Sequence, residues 1–223
     1  SEAHQKNISL LIDAEESWMQ DAADYLVAQM MLKYNKQKAI VFNTLQMYRW
    51  DRLDYLKNLL QQAKKEGFYI GMKIVRGAYM EKENLRAEEK GYPTPICESK
   101  EATDLNYDAA IHFMVENIDR MAIFAGTHNE LSSYKLMEYL QELNIEKKDA
   151  RIWFGQLYGM SDNISYNLSA NGYNNAKYLP FGPVRDVMPY LIRRAEENTS
   201  VAGQTSRELK LITAERDRRK GKR

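Results

Sequence analysis

The chain has 223 residues, of which 44% are hydrophobic and 28% charged, and its formal net charge is +1. That is enough chain for one large domain or two small ones, burying roughly 70% of the unfolded surface, and the balanced charge offers no basic excess for nucleic acid. The single Cys97 excludes an intrachain disulfide and a zinc–thiolate cluster and suits a reducing compartment; no apolar run approaches the ~20 residues of a membrane-spanning helix, and Ser1 to Asn7 lacks the apolar centre of a signal peptide.

In chain order, short β-branched or apolar runs alternate with longer amphipathic ones. The pattern predicts strands at Ile8 to Ala14, Ala39 to Thr44, Ile70 to Val75, Met121 to Ala125, Ile152 to Gln156 and Ala176 to Leu179. It predicts helices at Ser17 to Tyr34, Asp51 to Glu66, Thr103 to Asp119, Glu130 to Leu143, Asp162 to Asn171 and Val184 to Asn198. Gly67 stands where a helix C-terminus needs a glycine, and Thr127 and Asn129 stand where an N-terminus needs caps. One irregular segment, Met80 to Ala102, carries Pro93 and Pro95 and reads as a long loop or interrupted excursion.

Regular βα alternation calls for a parallel sheet covered by helices. A closed barrel of this kind has eight such units in ~250 residues. Six are visible here, so either two units precede Ser1 or the sheet is open; the strand close to the start favours the first. The expected division is a barrel over residues 1–203 and a basic helix or tail over 204–223. From Ser206 to Arg223 there are eight Lys or Arg against three acids, read as a solvated terminus, with a peripheral membrane-surface contact as the alternative.

In an α/β barrel the chemistry sits at the carboxyl ends of the strands. Here every predicted exit carries polar or aromatic side chains: Asp13 and Glu15; Asn43, Thr44 and Gln46; Arg76 and Tyr79; Thr127, His128 and Asn129; Gln156 and Tyr158; Tyr178. Together they describe a broad pocket for a large, planar, polar ligand. On the last predicted barrel helix Tyr190, Arg193 and Glu197 share a face, with Arg194 about 100° round from Arg193, and one arginine fork there suits a carboxylate. The chain has no glycine-rich dinucleotide fingerprint, Walker lysine loop, serine elbow or His-Glu-x-x-His. A metal site is not expected, although Asp13, Glu15 and His128 have ligand chemistry.

Seven ordered motifs carry a resemblance: Ile12-Asp13-Ala14-Glu15, Phe42 to Gln46, Lys73-Ile74-Val75-Arg76-Gly77-Ala78-Tyr79, Thr127-His128-Asn129, Phe154 to Met160, Lys177 to Gly182 and Tyr190 to Asn198. They resemble the motifs of the proline dehydrogenase (proline oxidase) family, its monofunctional branch above all. The resemblance implies a distorted (β/α)8 TIM-type barrel that binds FAD non-covalently and oxidises L-proline to 1-pyrroline-5-carboxylate, with a membrane quinone as electron acceptor. A hydroxyproline-preferring enzyme and a truncated barrel that binds ligand without turnover are the alternatives. The implied location is cytoplasmic, peripheral at the inner face of the inner membrane, or at the mitochondrial inner membrane in a eukaryote.

Position by position, the resemblance implies that Arg193 and Arg194 hold the substrate carboxylate while Tyr178, Tyr190 and Leu157 wall its ring. Asp13 supports the site, and Tyr79 lies against flavin or substrate. Gln46, Lys73, Val75, Gly77, Ala78, Thr103, Thr127, His128, Asn129, Gln156 and Glu197 line the flavin. Lys73 stands where some members carry arginine, and Gly77 suits close backbone approach to a ligand.

Overall fold

The computed structural model describes residues 1–200 and 202–221, with side chains described through 192 and again from 209. Its elements are α1 (Glu2–Gln5), β1 (Leu10–Leu11), α2 (Ser17–Tyr34), β2 (Val41–Gln46), α3 (Arg52–Glu66), β3 (Ile70–Val75), α4 (Met80–Lys90), α5 (Lys100–Glu116), β4 (Met121–Gly126), α6 (Glu130–Glu142), β5 (Ile152–Leu157), α7 (Asp162–Ala170), β6 (Asn175–Tyr178), α8 (Val184–Ser200) and α9 (Ala202–Lys220). The strands form one sheet in the order β1-β2-β3-β4-β5-β6, every pair parallel, curled as part of a distorted (β/α)8 barrel. Sequential order with a helix at each crossover is what the βα alternation demands.

The strand period of two divides the sheet into two faces. On the outer face Ile70, Met72 and Ile74 of β3, Met121, Ile123 and Ala125 of β4, and Ile152 and Phe154 of β5 pack into the core with Leu56, Leu60, Ile111, Met114, Leu136 and Leu168 from the helices. Each large side chain buried there contributes roughly 1.5–3 kcal/mol. The inner face carries Thr44, Lys73 and Phe124 at one level, aligned by the registers Thr44↔Lys73 and Lys73↔Phe124. The Phe124 ring lies against Gly155, where a side chain would start 2.2 Å from it.

Three departures from the sequence reading have local causes. The strand predicted at Ile8 to Ala14 is only Leu10–Leu11, because β1 pairs with β2 alone over two residues. The irregular segment holds a full helix, α4, closed by Gly91 in the left-handed conformation at φ 70°; the prolines fall after it. Helix α5 starts at Lys100 rather than Thr103, since Ser99 caps it, its side chain accepting from the Ala102 N–H at 3.0 Å.

Two polar ties set the helices that border the strand exits. Asp24 of α2, buried, accepts from the Arg52 guanidinium at 2.6 Å and from Gln20 and Asn43 at 2.7 Å each, fixing α2 to α3 and β2. Helix α4 docks on the start of α2. The fully buried Glu83 carboxylate accepts from the Ser17 N–H and hydroxyl, both at 2.6 Å. Lys82 pairs with Glu16, and the Arg86 guanidinium lies 4.3 Å from the Trp18 ring. A carboxylate at a helix N-terminus meets unpaired N–H groups and the positive end of the dipole.

Candidate active site

Lys73, on the inner face of β3, donates from Nζ to Asp13 Oδ1 at 2.5 Å, just past the end of β1. The same ammonium lies 6.0 Å from the Tyr178 ring at the end of β6, and Tyr178 meets Tyr190 of α8 edge-on with centroids 5.7 Å apart. Curling thus gathers residues from β1, β3, β6 and α8. Lys73 is largely covered while Asp13 and Tyr178 stay exposed, so the cation is held in place with its surroundings open. Leu157 is half-buried next to Tyr178 by register.

At the β3 exit the arginine turns away from the open face. Arg76 spends its fork inside the protein: Nε donates to Asp104 at 2.6 Å, and its terminal nitrogens donate to the Thr127 hydroxyl at 2.9 Å and the Ser132 hydroxyl at 3.0 Å. Its guanidinium carbon sits 4.4 Å from the buried Tyr107 ring. Gly77 has φ 134°, and a side chain there would start 2.5 Å from the Tyr48 ring. The close approach that calls for glycine is therefore to Tyr48. Gly77 and Ala78 are exposed, while Tyr79 donates its hydroxyl to Glu15 at 3.0 Å. Gln46, buried, donates to the Glu15 carbonyl at 2.6 Å, and Val75 is half-buried over Gly126.

At the β4 and β5 exits, the Thr127 hydroxyl accepts from the Asn129 N–H at 3.1 Å, and Asn129 caps α6 through the Ser132 N–H at 3.1 Å. His128 Nδ1 lies 2.9 Å from the Ser161 hydroxyl. Gln156 faces outward, 2% exposed, its amide donating to the Thr127 carbonyl at 3.3 Å and accepting from Ser165 and Asn175 at 2.8 Å each. The Thr103 hydroxyl bonds the Ser99 carbonyl at the start of α5. Arg193, Arg194 and Glu197 lie outside the residues whose side chains are described.

The structure thus brings together Asp13, Lys73, Tyr178 and Tyr190 directly. Thr127, His128, Asn129 and Gln156 form a second group, with Gln156 supporting the rim from the helix side. Asp104, Ser132, Ser161 and Glu83 also shape these exits. Their sequence signal is faint, a polar residue near a helix start, because their partners are remote in the chain.

A family model described as proline dehydrogenase matches residues 1–207. Among curated relatives, "Proline dehydrogenase 1, mitochondrial" of Drosophila melanogaster is 39% identical over 223 residues, covering 96% of this chain and 33% of the relative. The Homo sapiens protein of the same name is 39% identical over 97% of this chain and 37% of its own length. "Carbapenem antibiotics biosynthesis protein CarD" of Pectobacterium carotovorum is 37% identical, covering 97% of this chain and 55% of the relative. The chain spans about a third of the length of the first two. Among solved structures, proline utilization A of Bdellovibrio bacteriovorus, inactivated by N-propargylglycine, superposes with a TM-score of 0.83 at 28% identity, over 92% of this chain and 21% of that one. With seven motifs in order, a parallel barrel sheet and a family match reaching from residue 1 to 207, this chain belongs to the proline dehydrogenase family.

Proposed function

We propose that the protein takes part in proline catabolism as a flavin-dependent L-proline dehydrogenase, with this chain supplying six βα units of the barrel and most of the ligand-facing rim. The observation that carries the reading is the Lys73–Asp13 pair set against the Tyr178–Tyr190 wall. An ammonium fixed beside an open, aromatic-walled face suits a planar, electron-accepting ring system with hydrogen-bond acceptors at its edge. The apolar inner-face residues Val75 and Phe124 and the exposed Gly77 and Ala78 fit the same group.

Bound FAD would supply the two-electron acceptor for the hydride leaving the ring CH2 carbon bonded to the proline nitrogen; with loss of the N–H proton, that C–N bond becomes the C=N of 1-pyrroline-5-carboxylate. The roles proposed for the chain's residues are those that the family resemblance implies. Lys73 donates toward the flavin while Asp13 holds it in place. Leu157, Tyr178 and Tyr190 wall the substrate ring, and Arg193 and Arg194 hold its carboxylate by charge-assisted hydrogen bonds. Thr127, His128 and Asn129 form the cofactor rim on β4, with Gln46, Thr103 and Glu197 around it and Gln156 bracing it from the helix side, and Tyr79 closes the β3 side.

Among the described residues no helix is long and apolar enough to cross a membrane, and the basic run in α9 suits a peripheral contact that would place the protein near a quinone acceptor. Localisation at the inner membrane belongs to the same reading.

The test is the visible spectrum of the complete protein before and after anaerobic L-proline, with hydroxyproline in parallel. Flavin bands bleached by proline support the reading. Protein that stays colourless after FAD is added, or bands that proline leaves unchanged, refutes it, and stronger bleaching by hydroxyproline moves the substrate to that analogue. In the same protein Arg193→Met should weaken apparent proline affinity about 10- to 100-fold with flavin retained.

A further inference from the structure

We infer that Ser161 is a positioning residue that sets the orientation of the His128 imidazole at the cofactor rim, an inference that rests on the flavin reading above. Ser161 stands at the N-cap of α7 with φ 52° and ψ 44°. That left-handed conformation costs glycine nothing and costs a side-chain-bearing residue steric strain. Two residues earlier the chain meets a similar demand with glycine: Gly159 has φ 78° and open space where a side chain would point. At 161 it keeps a serine, 3% exposed.

Capping does not account for that serine. At α5 and α6 the N-cap side chains of Ser99 and Asn129 accept from backbone N–H groups of the first turn. The Ser161 side chain makes no such bond to α7. Its hydroxyl lies instead 2.9 Å from His128 Nδ1, across 33 residues of sequence.

That contact closes a circuit. His128 follows Thr127, whose carbonyl accepts from Gln156 at 3.3 Å. Gln156 accepts from the Ser165 hydroxyl at 2.8 Å, and the same hydroxyl lies 3.3 Å from the Ser161 carbonyl. The β4 and β5 exits are thereby tied at both backbone and side-chain level, and His128 is the partly exposed residue of the circuit, the others being buried. A ring whose Nδ1 is hydrogen-bonded has its plane set before a ligand arrives, which lowers the ordering cost of binding.

The experiment is a double-substitution cycle on the complete protein, stripped of flavin and titrated with FAD by flavin fluorescence, with melting of the apoprotein recorded alongside. Ser161→Gly, which removes the hydroxyl and the strain together, should weaken FAD binding about five- to tenfold. Ser161→Ala, which removes the hydroxyl and keeps the strain, should bind as weakly and melt below Ser161→Gly. In a His128→Ala background, Ser161→Gly should add less than about a twofold further loss. Unchanged FAD affinity in Ser161→Gly, or an equal loss in both backgrounds, overturns the inference while leaving the flavin reading intact. A wild-type apoprotein that takes up no FAD overturns that reading and the inference with it.

Discussion

Replacing Arg76 by methionine separates two roles that the Lys73 to Tyr79 stretch leaves open, ligand contact and internal strut. Methionine keeps apolar packing against Tyr107 but loses the hydrogen bonds to Asp104, Thr127 and Ser132 and the guanidinium stack at 4.4 Å. Hydrogen bonds to charged groups contribute about 1.5–3 kcal/mol, but this set does not add. Arg76 and Asp104 are 23% and 26% exposed, so water screens the ion pair, and Asp104 keeps Lys100 at 2.6 Å. A net loss of about 2–3 kcal/mol follows. For a domain of this size that lowers the melting temperature by about 4–12 °C.

The loss should depend on pH. Burial works to raise the Asp104 carboxyl, but hydrogen bonds from Lys100 and Arg76 outweigh it and hold the group below the ordinary 3.8. A carboxyl lowered in the folded state stabilises the fold above its unfolded pKa and loses that contribution as pH falls through the folded one. The gap between wild type and Arg76→Met should therefore be full at neutral pH and shrink below 3.8. Thermal melts of the apoprotein from pH 7 to 3 measure it. A variant that melts with wild type yet no longer binds ligand would refute the strut and return Arg76 to the ligand site.

Arg52→Leu strands the buried Asp24 carboxylate and should cost about 3–5 kcal/mol in urea unfolding, with Asp24→Asn added to it recovering part of the loss. Gly77→Ala should destabilise by about 1–3 kcal/mol through its φ of 134° and the Tyr48 ring; a melt matching wild type would contradict the clash. Glu83→Ala leaves the Ser17 N–H and hydroxyl without their acceptor and should loosen α4. Limited proteolysis, cutting faster between residues 80 and 99 than in wild type, reads that directly.

Much of the fold was legible because its signals are local. Six β-branched or apolar runs at barrel spacing became six parallel strands, Gly67 took φ 70° at the end of α3, and Asn129 capped α6. The family motifs were legible for the same reason, each lying within a few consecutive residues at a strand exit. The partners of those residues were not. Lys73 meets Asp13 across 60 positions, Glu83 meets Ser17 across 66 and Arg76 meets Ser132 across 56. Helix α4 escaped notice because its buried face rests on Glu83 and Ala87 rather than on an apolar stripe. Residue types and their order, set by the chain itself, determined a βα barrel sheet with polar strand exits. Which exit groups face the open side, as Asp13 and Tyr178 do, and which are consumed in holding the rim, as Arg76 and Gln156 are, was decided by the curl and register of the sheet, since only the tertiary fold brings distant donors and acceptors within hydrogen-bonding reach.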